Sequence, residues 1–187
     1  MLEARLFGAL ELTIDGRPVP EIAGLRPRAL LAYLLLHPGP HARARLAARF
    51  WPDVLDTSAR ASLRSALHTI RSALDQAGAG AYLEGDRAQV GIAAALPRSI
   101  DSERFDRFVD AGDSASLEHA FVLADGALLA DLADDWVLEA RDDYRERVAR
   151  IALTLADAAE AEGDLPRAID WTRRALAADR LSDASHR

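Results

Sequence analysis

The sequence predicts a mainly α-helical fold with a small β component, divided into two halves of different character. Three observations carry this. The first half mixes short strand-like stretches with three helical periods, while the second half holds helical periods alone, punctuated by Gly112, Gly126 and Gly163. The charge divides along the same line. Residues 1–97 hold 11 Arg against 9 acidic residues, a net of +2, whereas residues 98–187 hold 12 Arg against 21, a net of −9. A length of 187 residues suits one large domain or two small ones, and the charge division favours two. The boundary is expected near Pro97, giving domains 1–97 and 98–187.

Composition narrows the function classes. Hydrophobic residues make up 50% and charged residues 28%, enough to bury a core and too little charge for a disordered chain. The absence of Cys excludes a disulfide framework, thiolate metal sites and a cysteine nucleophile. The longest apolar run, Ala29 to Leu36, is eight residues, far short of the ~20 a membrane span needs. Met1-Leu2-Glu3-Ala4-Arg5 has no apolar signal-peptide core, so a cytoplasmic protein without membrane contact is expected. All 23 basic residues other than His are Arg, and Asn is absent as well. Such a bias fits a GC-rich coding sequence, so the choice of Arg over Lys carries no functional argument.

Along the chain, Arg5 to Leu12 alternates weakly and Asp15-Gly16 signals a hairpin turn, giving short antiparallel strands over about 3–20. Arg26-Pro27 opens a helix, because proline suits the first turn, and Pro38-Gly39-Pro40 ends it after Leu30, Leu31, Leu34 and Leu35 have formed a wide apolar face. A second short helix is expected from about Ala42 to Phe50, stopped by Pro52. A third runs from about Ser58 to Gln76, with Asp56, Thr57 or Ser58 as its N-cap. Tyr82-Leu83-Glu84 and Ala88 to Ile92 flank Gly85-Asp86-Arg87, which reads as a hairpin with Arg87 at its tip. Ala93 to Asp101 reads as a linker. Helices follow near 102–110, 114–125, 136–162 and 165–178, and from 182 onward. Leu155-Ala156, Gly163-Asp164, Ala168 and Ala175-Leu176 place small residues where the two helices of a tetratricopeptide-like repeat pack closely.

The basic residues concentrate in one window. Gly24 to Leu74 holds eight Arg against only Asp53 and Asp56, a net of +6. On the third helix, a wheel at about 100° per residue puts Leu63, Ala66, Leu67, Ile70 and Leu74 within one sector of about 100°. Arg60, Arg64, His68 and Arg71 fall in the adjoining sector of about 80°, with Ser65 and Ser72 beyond them. One face is core and the next is a basic stripe. Strands, three helices and a hairpin, with this stripe on the third helix, describe a winged helix-turn-helix. A helix fits the DNA major groove, and Arg pairs with both phosphate and guanine edges. The residues of this stripe that point to double-stranded DNA are Arg60, Arg64, His68 and Arg71, with Arg87 on the hairpin. Arg26, Arg28, Arg43 and Arg45 are further basic residues within phosphate-binding chemistry.

Leu46-Ala47-Ala48-Arg49-Phe50-Trp51-Pro52-Asp53 followed by Ala61 to Leu74 resembles the SARP family of antibiotic regulatory activators. Arg26 to Leu36 matches that family's first helix, and Ser99 to Phe105 resembles the start of its second part, the tetratricopeptide-like bacterial transcriptional activator domain. The resemblance implies an OmpR-type winged helix followed by an all-α domain, with the third helix entering the major groove, which carries over by position to Arg60, Arg64, Ser65, His68 and Arg71. It further implies a transcriptional activator that binds direct repeats as a homodimer and contacts RNA polymerase. The loop Trp51 to Thr57, with Asp53 and Asp56, corresponds to the family's polymerase-contacting segment. The chain departs from the family at Thr69 and Ser72, where basic residues are usual, and its helical domain is expected to be truncated.

Enzyme chemistry finds no foothold. No Gly-Lys-Ser/Thr phosphate loop occurs, Gly78-Ala79-Gly80 lacks the rest of a dinucleotide fingerprint, and no His-Glu-x-x-His occurs. Asp134-Asp135 precede Trp136 and read as helix N-cap residues. No cofactor, metal or catalytic residue is expected. The alternative reading is a protein-interaction module of a larger signalling protein, whose winged helix does not bind DNA. The two readings diverge on whether Arg60, Arg64, Arg71 and Arg87 share one exposed face.

Overall fold

Asp15 and Gly16 both adopt positive φ, 49° and 76°, the backbone a two-residue hairpin turn demands. In the computed structural model this turn joins β2 (Glu11–Ile14) to β3 (Arg17–Pro18). The structure describes the backbone of residues 1–183 and the side chains of residues 1–178. The chain divides into two units. The first comprises Met1–Leu6 and Leu10–Ile100, the second Phe7–Ala9 and Asp101–Arg187. The sequence boundary near Pro97 lies three residues before the division at Ile100, and the short segment 7–9 has no counterpart in it.

In the first unit, β1 (Leu2–Arg5) pairs antiparallel with β2 and parallel with β7 (Arg98–Ile100), giving a sheet in the order β3-β2-β1-β7. Residues 98–100, expected as linker, are therefore a strand. Tyr82 helps to fix this edge: its hydroxyl accepts from the Leu2 N–H at 3.0 Å and donates to the Pro97 carbonyl at 2.7 Å.

Helices α1 (Leu25–Leu36), α2 (Arg43–Phe50) and α3 (Asp56–Gln76) supply the core. Leu30, Leu31, Leu34 and Leu35 of α1 are wholly buried, as are Phe50, Leu63, Ile70 and Leu74 to within 1%. Burying each such side chain is worth about 1.5–3 kcal/mol. A second sheet, in the order β4-β6-β5, comprises β4 (His41–Ala42), β5 (Leu83–Gly85) and β6 (Gln89–Ile92). β5 and β6 form the wing, with residues 86–88 at its tip. A single 3-10 turn over Gly80–Tyr82 leads into it.

Among the described residues the second unit has four helices, α4 (Asp101–Ala111), α5 (Ser114–Leu123), α6 (Asp135–Ala161) and α7 (Leu165–Asp183). Asp134 takes the N-cap position of α6. Between α6 and α7, Gly163 sits at φ 80°. Its N–H bonds to the Glu160 carbonyl at 2.9 Å and the Asp164 N–H to the Ala159 carbonyl at 2.9 Å, the double closure that ends a helix on a left-handed residue. Asp164 then accepts from the Arg167 N–H at 3.1 Å and caps the next helix. Two caps within residues 162–164 fold the chain back, so Ala152, Leu155, Ala156 and Ala159 of α6 are buried together with Trp171 and Ala175 of α7. α7 continues unbroken through 182 and 183, and the expected helix beyond lies outside the described residues.

Phe7–Ala9 are stitched into this second unit. The Gly8 N–H donates to Ala127 at 3.0 Å and the Ala130 N–H to Gly8 at 2.7 Å. The Phe7 ring packs on Phe105 at 5.5 Å and edge-on to Tyr144 at 5.3 Å, with its N–H bonded to the buried Asp101 carboxylate at 2.9 Å.

Candidate nucleic-acid interface

α3 is amphipathic as its periodicity requires. Ala59, Leu63, Ala66, Leu67, Ile70, Ala73 and Leu74 face the core, while Arg60, Arg64, Ser65, His68 and Arg71 are exposed. The helix starts two residues earlier than expected. Leu55 takes the N-cap position and no side chain caps the end, so Asp56, Thr57 and Ser58 all lie inside the helix. Asp56 instead forms an i,i+4 pair with Arg60. Its Oδ2 lies 2.7 Å from Arg60 Nη2, and its Oδ1 accepts from Nε at 3.2 Å. Both side chains are more than half exposed, so the pair is worth only a few tenths of a kcal/mol. It does orient the guanidinium. The loop between α2 and α3 is accordingly Trp51–Leu55. It contains the exposed Asp53, Val54 and Leu55, and Trp51 is half-buried.

A groove of about 860 Å³ opens beside α3, between the start of α2 and the wing. Arg43, Arg60, Arg64, Asp86 and Arg87 line it, with Ala42, Ala44, Leu63 and Ala88. Four guanidinium groups from three elements thus face one concavity, opposed by one carboxylate. Arg64 and Arg87 have no hydrogen-bond or ion-pair partner among the described residues, so all five donors of each are available. The wing tip is shaped by Asp86, whose Oδ1 accepts from the N–H groups of Ala88 at 2.7 Å and Gln89 at 2.8 Å. Those bonds, that of Gln89 first, hold the Asp86 carboxyl below the usual carboxylate range. Arg43 adds to the effect and desolvation opposes it.

The residues expected to bind DNA do not all meet here. Arg60, Arg64 and Arg87 do. Arg71 shares their azimuth but lies eleven residues along α3 from Arg60, about 16 Å at 1.5 Å per residue. There its Nη2 donates to the Leu83 carbonyl at 2.8 Å, at the foot of the wing. Ser65 and His68 are exposed on α3 outside the groove lining.

The other basic residues of the window are distributed further. Arg28 donates to the Leu10 carbonyl at 3.0 Å. Arg49 stacks over the Tyr33 ring at 5.3 Å, beside His37, whose pKa is lowered by burial and then by His41 and Arg49. Sequence reasoning did not single out Arg43 or Asp86 as members of the groove. Gly85-Asp86 at a hairpin tip was the available signal for Asp86. Nothing local marks Arg43 out from Arg45.

Among the described residues no group of three or more His, Asp or Glu side chains could hold a metal ion, and no helix is long and apolar enough to cross a membrane. No family model matches the chain. Over 147 residues, 78% of this chain, the sequence is 31% identical to the transcriptional regulatory protein EmbR of Mycobacterium tuberculosis, and the same figures hold for EmbR of Mycobacterium bovis. The match spans 37% of the length of those relatives. A solved structure, Mycobacterium tuberculosis EmbR in complex with a low-affinity phosphopeptide, matches at a TM-score of 0.64 and 25% identity. It covers 98% of this chain and 59% of that one. The fold is that of EmbR over this stretch, a winged helix and a helical domain.

Proposed function

We propose that this chain regulates transcription by binding double-stranded DNA through the groove of the first unit. The observation that carries the proposal is the convergence of Arg43, Arg60, Arg64 and Arg87 from α2, α3 and the wing on one open concavity. In this reading α3 enters the major groove, Arg60 and Arg64 reach phosphates and base edges, and Arg87 sets the wing on the backbone. Arg71 supports the site from behind by holding the wing to α3. The similarity to transcriptional regulatory proteins supports the regulatory role. The helical unit serves dimerisation or regulatory contacts. Activation, and contact of the Trp51–Leu55 loop with RNA polymerase, follow from the SARP resemblance.

The test is fluorescence anisotropy of a labelled duplex of about 30 bp against the 187-residue chain and its Arg60/Arg64/Arg87→Ala variant, titrated with salt. Each phosphate contact contributes about 0.9 to the log–log salt slope. A steep slope in the parent chain is expected, shallower by about two to three in the variant, with affinity down at least a hundredfold at about 50 mM salt. No binding of the parent chain at that salt would overturn the reading and favour the protein-interaction module.

A further inference from the structure

Arg43 is the first residue of α2 and is half-buried. Two of its N–H groups are committed to the wing tip. Its backbone N–H donates to the Ala88 carbonyl at 2.8 Å and its Nε donates to the Asp86 carbonyl at 2.8 Å. The side chain is therefore held at its Nε edge, and its two Nη groups have no partner among the described residues. Arg43 lines the groove beside Arg60, Arg64 and Arg87. A guanidinium so held presents a fork that matches a phosphate with two parallel hydrogen bonds. Orienting it before contact removes rotamer freedom that a loose surface Arg would lose on binding.

We propose that Arg43 is a phosphate-binding residue of the groove, held in place by the wing tip, and that Asp86 is its positioning residue. The inference rests on the DNA-binding reading, and the ligand is the phosphodiester backbone of duplex DNA. Asp86 acts in two opposed ways. Its backbone carbonyl fixes Arg43, and its Oδ1 folds the tip that carries that carbonyl. Its negative charge, the sole carboxylate of the groove lining, repels the same phosphates.

This opposition makes the proposal testable in both directions with the full chain and the labelled duplex. Arg43→Ala is expected to make the salt slope shallower by about 0.9 and to weaken binding about tenfold at about 50 mM salt, equally for duplexes of unrelated sequence. Arg43→Gln, which loses the charge but keeps an N–H for the Asp86 carbonyl, is expected to do the same and secures the result if the alanine variant melts early. Arg43→Lys keeps the charge without the Nε–H. It is expected to retain the parent slope at a lower affinity. Asp86→Asn keeps the Oδ1 acceptor and loses the charge, and should bind about two- to fivefold more tightly at about 50 mM salt, with the gain fading at high salt. Asp86→Ala loses the acceptor too and should bind more weakly than Asp86→Asn.

The inference is overturned if the parent chain binds but Arg43→Gln keeps its slope and affinity. It is overturned equally if a normally folded Asp86→Asn binds more weakly than the parent. Failure of the parent chain itself to bind overturns the DNA reading and this inference with it.

Discussion

In the helical unit, Arg141 donates to three backbone carbonyls, those of Leu128, Leu129 and Leu132, at 2.9, 2.8 and 3.0 Å. In the winged-helix unit, Arg64 projects from α3 with no partner among the described residues. Arg147 follows Arg141: it stacks at 4.8 Å over both Phe105 and Tyr144 and bonds to Asp106 at 2.5 Å. Arg174 stacks at 4.6 Å over Trp171 and pairs with Asp170 at 2.8 Å. Arg87 follows Arg64. The same side chain is a structural clamp where carbonyls, acids or aromatic rings hold it, and is left available to a ligand where they do not. Net charge per half reports this only indirectly.

Removing the Arg141 side chain tests the clamp most directly. Arg141 spans a loop in which Leu129 holds a left-handed φ of 49°, a conformation costly for a leucine. Partial burial, the largest cause, lowers its pKa. Arg141→Ala leaves three carbonyls short of a donor and is expected to destabilise the helical unit by about 3 kcal/mol. Chemical denaturation followed by the fluorescence of Trp136 and Trp171, in a Trp51→Phe background, would show it. The salt slope of DNA binding, measured with folded protein, is expected to stay unchanged.

Next in size is a pH effect confined to the same unit. Burial, followed by the Asp106 charge, pushes the Tyr144 hydroxyl up to about 12. In the unfolded chain it titrates near 10. The folded state thus holds this proton more tightly, and its contribution is fully present below pH ~10 and lost as pH rises through ~12. The loss amounts to about 2–3 kcal/mol. Tyr144→Phe should flatten the alkaline limb of the stability curve, and an unchanged limb would show that the hydroxyl is solvated in the folded state.

A smaller change is expected at Asp56. Asp56→Ala releases Arg60 and removes a negative charge from the start of α3. The helix end loses a few tenths of a kcal/mol. Duplex affinity at about 50 mM salt is expected to rise, by less than about threefold. A fall in affinity would mean that the orientation Asp56 gives Arg60 outweighs the charge it adds.

How much of this could be read from the chain depends on distance along it. The α3 stripe was legible because both its core and its basic residues repeat within one helix. The wing and the Asp15-Gly16 turn were legible because each is written in adjacent residues. β7 was not, since Arg98-Ser99-Ile100 is too short to show a period and becomes a strand by pairing with β1. The wheel placed Arg71 with Arg60 because it records azimuth and discards rise. Arg43 could not be told from Arg45, because what distinguishes it is a carbonyl 43 residues away at the wing tip.

Phe7–Ala9 raise a question of heredity. Their ring and backbone bonds belong to the helical unit, yet they are encoded between two strands of the winged helix. Neither unit is therefore a single uninterrupted stretch of gene. A recombination event joining residues 101–187 to a different front end would deliver helices without the Phe7 ring on Phe105 and Tyr144 and without the Gly8 bonds to Ala127 and Ala130. A fragment that starts at residue 101 lacks Phe7–Ala9, which only a chain carrying the front strands supplies to the helical unit.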